Sequence, residues 1–182
     1  MLLEECARGD VEIRLSTQIG EISHGDGVFR VAGATAPSLV IATGGPSIPK
    51  MGASGIAYQI AERFGLPVVP PRPALVPLTL GAEAEAFRGI SGVSCPVTAH
   101  AGGAAFTEAA LFTHRGLSGP AILQASSYWT PGAPIVLELI GNAAEVLSDA
   151  RQRSPRARLR SVLSEHLPNR LAEVLSERID LK

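Results

Sequence analysis

Five prolines, Pro67, Pro70, Pro71, Pro73 and Pro77, fall within eleven positions of this 182-residue chain. Each removes a backbone donor and fixes φ, so neither a helix nor a central strand can run through the segment. The chain must organise on either side of it. The sequence therefore predicts a boundary near Arg72, with one domain over residues 1–72 and a second over 73–182.

Before the boundary, Val11, Ile13 and Leu15 alternate with Glu12, Arg14 and Ser16, the period of a strand with one covered face. Residues 19–24 and 28–32 flank Gly25-Asp26-Gly27 and predict a hairpin. The apolar run 39–42 predicts a short buried strand. Ile56, Ile60 and Phe64, four apart with Ala57 and Ala61 beside them, predict a helix over 54–64 that Gly65 terminates. Between that strand and helix lies Ala42-Thr43-Gly44-Gly45, followed by Gly52-Ala-Ser-Gly55. Residues without side chains let backbone lie against a flat ligand, and a helix start offers free amides to an anion. No G-x-G-x-x-G fingerprint follows any predicted strand, so the usual pyrophosphate cradle is not among these residues.

Beyond the boundary, residues 74–80, 94–99 and 135–140 have strand composition. Residues 118–126 read as a helix entered through Gly119-Pro120, and the tail carries three apolar helical stripes with Pro168 separating the last two. The fold class predicted is α+β, with α/β character in the first half. His114, Gly116 and Ser118 form a polar cluster before a helix start that could meet a substrate or the edge of a cofactor; a tight loop satisfied by Thr113 is the alternative. The nucleophile elbow G-x-S-x-G is approached at 116–120, but Pro120 replaces its last glycine. His24, His100, His114 and His166 are scattered, so no metal site is expected. The arginines between 151 and 160 read as a solvated helix face.

Composition bounds the partners. The chain is 46% hydrophobic and 18% charged with a net charge of −1, which gives no global reason to expect nucleic acid or an anionic membrane. No apolar run reaches the ~18 residues of a membrane helix, and two cysteines, Cys6 and Cys95, lack disulfide or metal spacing. A cytoplasmic protein with an unknown small-molecule substrate, no nucleic acid and no membrane is the expectation. Self-association through an exposed sheet edge is the one protein contact foreseen.

Two longer stretches carry a resemblance. ATGGPSIPKMGASGIAYQIAERFGLPVVPPRPALVPL at 42–78 and LFTHRGLSGPAILQAS at 111–126 are similar to the signatures of the BaiN-type (YhiN-like) NAD(P)/FAD-dependent flavoprotein family. Gly89-Ile-Ser-Gly92 and His166-Leu-Pro-Asn-Arg-Leu171 resemble further family segments. The resemblance implies a partial FAD-binding, Rossmann-like segment followed by an inserted domain that shapes the substrate side. It implies that the chain corresponds to a middle piece of the family's length. FAD would meet Ala42, Thr43, Gly44, Gly45, Gly52 and Gly55, with Ile19 near the adenine, and NAD(P)H would be the electron donor of the intact oxidoreductase. Ile48 stands where the family has an aromatic residue. No catalytic residue is assigned, and the piece alone is expected to be inactive. A self-standing, non-catalytic binding module is the alternative, because residues from 73 onward are numerous enough to hold their own core.

Overall fold

The computed structural model describes residues 1–179, apart from the Glu83 side chain. It is an α+β chain that divides into two compact units, Met1–Pro70 and Pro71–Lys182.

In the first unit, helix α1 (Leu2–Arg8) precedes a three-stranded antiparallel sheet of β1 (Ser23–Gly25), β2 (Val28–Val31) and β3 (Ala34–Ala36), and helix α2 (Ile56–Arg63) follows. The Gly25-Asp26-Gly27 hairpin forms as predicted, with Gly25 paired to Val28 and both Asp26 and Gly27 at positive φ. The third strand, joined to the hairpin across Ala32-Gly33, was not expected. Phe29 gathers the unit's aromatic contacts, 4.5 Å from His24 and 5.8 Å from Phe64 between ring centroids. Ile22 is the only buried apolar residue of this unit among the described residues.

Two predicted strands do not form. Residues 11–16 and 39–42 are irregular, with Leu15 and Val40 both 84% exposed. A strand is held by ladder hydrogen bonds to a neighbour, and among the described residues neither segment has one. The apolar pattern there records strand-forming composition whose pairing partner is not supplied by these residues.

The second unit is built on a five-stranded antiparallel sheet in the order β4-β7-β6-β5-β8, where β4 is Leu78–Thr79, β5 Ser94–Ala101, β6 Ala104–Phe112, β7 Gly116–Ser118 and β8 Val136–Glu138. Its spine is the β5–β6 ribbon, in register from Ser94–Leu111 to Ala101–Ala104. Along β5 the buried positions are Cys95, Val97, Ala99 and Ala101, the strict alternation of a sheet with one covered face. Helix α3 (Pro120–Ser126) covers that face. Ala99, Ala110, Ala121 and Ala125 are wholly buried at the contact, and their small side chains let the helix approach closely enough to enclose Ile122. Burying an isoleucine of that kind contributes about 1.5–3 kcal/mol. Ser126, the one buried polar side chain among the described residues, accepts the Val76 amide at 2.9 Å and donates to the Leu123 carbonyl at 2.8 Å. It thereby ties the end of α3 to the chain leaving the proline segment.

Helices α4 (Ala143–Arg153), α5 (Leu159–Ser164) and α6 (Asn169–Arg178) complete the unit. Ser154-Pro155 ends α4, because the residue before proline is driven out of helical space, here to φ −146°. Leu171 and Ala172 bury the inner face of α6, and Arg170 donates to the Gly89 and Ser91 carbonyls at the end of the 3-10 turn Ala82–Ile90.

Burial pushes the Cys95 thiol above its ordinary pKa, whereas Cys6 is half-buried. A buried, protonated thiol is inert. An Ellman titration of the native chain is expected to count one thiol promptly and the second only in denaturant; rapid reaction of both would contradict the packing around β5.

Candidate functional site

The glycine loop of the first unit occupies residues 42–55. Gly44 sits at φ +70° with open space where a Cβ would project, and Gly52 ends the 3-10 turn Pro49–Met51 at φ +84°. Both conformations favour glycine. Ala42, Thr43 and Gly44 are exposed and Gly45 is half-buried. Gly55 is the N-cap of α2, and no side chain caps that helix start. Its carbonyl takes the Tyr58 and Gln59 amides at 3.0 and 3.2 Å, leaving the amides of Ile56 and Ala57 ahead of the first intrahelical bond.

Tyr58 organises the loop, a residue the sequence reading missed. The Cβ positions of Gly45 and Gly55 each lie 3.6 Å from its ring or hydroxyl, so the two glycines flank one tyrosine on the first turn of α2. The local signal was a tyrosine three residues after the N-cap glycine. Lys50 is the loop's single cation, and Ile19, half exposed, lies in the irregular segment before β1.

A flavin dinucleotide fits this arrangement from one side. The backbone at Gly44 faces open space and the uncapped helix start carries donors, the chemistry a phosphate or a ring carbonyl needs. A second wall is not built by the described residues of this unit.

In the second unit, His114, Gly116 and Ser118 are brought together by the β6–β7 turn. The turn closes on itself: the Thr113 amide donates to the Gly116 carbonyl at 2.7 Å, and the Thr113 hydroxyl also donates to that carbonyl while accepting the Gly116 and Arg115 amides. His114 and Arg115 are exposed at the tip, and Ser118 is half-buried opposite Leu111. Gly116 has a structural reason to be glycine, since it faces Thr79 in the β4–β7 pair and a Cβ there would lie 2.0 Å from the Leu78 carbonyl oxygen. Gly119, at φ +92°, is similarly pressed against the backbone of Ala109 and Leu111.

A second concavity, of about 800 Å³, lies beside the proline segment, lined by Pro73, Val76, Leu80, Leu117 and Trp129 with Arg72 as its one charged group. Among the described residues no three His, Cys, Asp or Glu side chains converge as metal ligands, and no helix is long and apolar enough to cross a membrane.

Residues 72–182 match the family model described as HI0933-like protein barrel and H2TH domain. The chain is also 42% identical, over 186 residues, to a ribosomal RNA dihydrouridine synthase of Escherichia coli K12, covering 97% of this chain and 46% of that protein. A protein of the same name from Haemophilus influenzae Rd is 38% identical over 188 residues, covering 97% of this chain and 47% of that protein. The chain thus spans about half the length of these relatives.

These names correct two expectations. The relatives are named for ribosomal RNA, which overturns the exclusion of nucleic acid and turns attention from a small molecule to a polymer. The exclusion failed for a physical reason: net charge is a sum over the whole chain, whereas RNA is contacted by one local surface. The resemblance holds at the level of the family, while the relatives carry the synthase name and not that of a BaiN-type oxidoreductase.

Proposed function

Because this chain belongs to the family of HI0933-like proteins with the barrel and H2TH domain, we propose that it is part of a flavin-dependent enzyme that reduces a uridine of ribosomal RNA to dihydrouridine. The observation that carries the reading is the 42% identity along 97% of the chain to a protein named for that activity.

The reaction saturates the C5–C6 bond of a uracil, one carbon receiving a hydride and the other a proton. A bound FAD, kept reduced by NAD(P)H, would supply the hydride. In this reading the backbone of Ala42, Thr43, Gly44 and Gly45 lies against the cofactor, and the amides at the start of α2, beside Gly52 and Gly55, meet its polar atoms. Ile19 offers backbone to the adenine. Tyr58 holds the loop against the helix, so the glycines keep their positions without side chains of their own. In the second unit, His114 and Ser118, presented by the β6–β7 turn, are the side chains this reading assigns to the substrate, where an imidazole can hold or deliver a proton. A cytoplasmic setting accords with a ribosomal substrate.

The test is nucleoside mass spectrometry of ribosomal RNA incubated with the intact-length protein, FAD and NADPH. A uridine gaining the mass of two hydrogens is expected. Flavin-loaded protein that oxidises NADPH yet leaves every uridine unchanged would overturn the reading. The 182-residue chain alone should purify colourless and leave flavin fluorescence unquenched at micromolar concentration, since its donors reach the cofactor from one side only. Stoichiometric quenching would show that the loop suffices.

A further inference from the structure

Residues 151–160 read Arg-Gln-Arg-Ser-Pro-Arg-Ala-Arg-Leu-Arg, five arginines with no acid among them. Removing those five charges from the net of −1 leaves −6 on the rest of the chain, so the near-neutral total conceals a strongly segregated distribution. The arginines fall on the last turn of α4, the loop broken by Pro155, and the start of α5, and all five are exposed. Among the described residues only Arg160 of the five is paired, with Glu173 at 2.9 Å. The side chains of Arg151, Arg153, Arg156 and Arg158 make no ion pair or hydrogen bond among the described residues.

A solvated helix face would explain Arg151 and Arg153, which complement the negative end of the α4 dipole. It leaves Arg156 and Arg158 unexplained, because they lie outside any helix interior and pair with no acid among the described residues. The nearest acids in sequence, Glu145 and Asp149 on α4 and Glu165 after α5, do not engage them.

The same segment borders a concavity of about 610 Å³ whose lining includes Leu147, Ala150, Pro155, Leu159 and Val162, with Arg151 among them. A cluster of exposed arginines, with Arg151 lining a mixed polar and apolar groove, matches a nucleic-acid strand. The guanidinium groups neutralise phosphates, with forks suited to bidentate contact, and the groove beside Arg151 accommodates a ribose or an unstacked base. An acidic protein segment would satisfy the arginines and make less use of the groove.

We propose that the exposed arginine cluster of the α4–α5 junction, Arg151, Arg153, Arg156 and Arg158, binds the phosphate backbone of RNA. The proposal rests on the reading that RNA is the substrate, and it assigns the docking of that RNA to the α4–α5 junction and not to the glycine loop.

Fluorescence anisotropy of the full chain with a fluorescein-labelled, uridine-rich RNA hairpin tests it. The R151Q/R153Q/R156Q/R158Q variant is expected to bind about tenfold or more weakly, with the slope of log Kd against log salt falling by about 3, as four lost phosphate contacts require. The corresponding four lysine substitutions should keep the slope. Circular dichroism establishes that each variant is folded, and R151Q/R156Q, expected to lower the slope by about half as much, about 1.5, serves if the quadruple variant is not. Unchanged affinity and slope in a folded quadruple variant would overturn the proposal while leaving the RNA reading intact. So would tighter binding of a labelled polyglutamate peptide than of RNA, which would assign the patch to a protein. Failure of the wild-type chain to bind the hairpin would also overturn it, and the dihydrouridine assay of the intact-length protein then decides the reading separately.

Discussion

Gly116→Ala is expected to cost the second unit about 3 kcal/mol of stability, among the larger effects one methyl group can have. Gly116 pairs with Thr79 where β7 meets β4, and a Cβ at that position would lie 2.0 Å from the Leu78 carbonyl oxygen and 2.8 Å from the Thr79 Cα. Both obstacles are backbone, so no rotamer change relieves the overlap; the β4 edge must move or detach. Gly132→Ala provides the comparison, since Gly132 sits at φ +88° with no atom within 4 Å of a built Cβ. That variant carries only left-handed backbone strain, about 1–2 kcal/mol. The single tryptophan, Trp129, belongs to this unit and reports urea unfolding of both variants. A Gly116→Ala midpoint no lower than that of Gly132→Ala would show that β4 is not held against β7.

Gly44→Val should strip flavin from the intact-length protein. At φ +70° a β-branched residue is strained, yet a Cβ there meets nothing within 4 Å, so no packing in this chain is disturbed. The effect should therefore fall on the ligand more than on the fold. Valine methyl groups over residues 43–45 would hold the cofactor off the backbone, and each charge-assisted hydrogen bond lost is worth about 1.5–3 kcal/mol. At ~1.4 kcal/mol per tenfold in affinity, two such losses weaken binding about a hundredfold or more. Flavin absorbance per polypeptide after gel filtration measures it. Full occupancy in a folded Gly44→Val protein would make the loop scaffold and not cofactor site.

Much of the fold was legible because local chemistry decided it. The hairpin at Gly25-Asp26-Gly27, helix α2 followed by Gly65 and helix α3 opened by Pro120 carry their own turn, stop or start residues, and the three tail helices follow apolar stripes with Pro168 separating the last two. What was missed depended on neighbours. Strand β6, Ala-Ala-Phe-Thr-Glu-Ala-Ala-Leu-Phe, is alanine-rich and has no strand composition; it is extended because β5 offers it eight paired positions and α3 needs small residues beneath it. Residues 11–16 and 39–42 failed in the opposite sense, with strand composition but nothing beside them to pair with.

At the candidate site the glycines were legible, and their causes were not. Gly44 and Gly52 adopt positive φ in open space, whereas Gly116 is glycine because another strand's backbone occupies the place of its side chain. A sequence shows both as the same letter. The arginine run was visible too, but its meaning depended on which charges lay near it in space, and among the described residues only the Arg160–Glu173 pair emerged.

The Thr113 turn has an evolutionary corollary. Thr113 and Gly116 close it, and Arg115 takes part through its backbone, its carbonyl accepting the Leu80 amide at 3.2 Å, so the exposed side chains at the tip, those of His114 and Arg115, make no hydrogen bond or ion pair among the described residues. Selection on folding is blind to those positions. Whatever a lineage keeps there is kept for what it touches, which makes the tip a place where specificity can drift or be retuned by single substitutions without passing through an unstable intermediate.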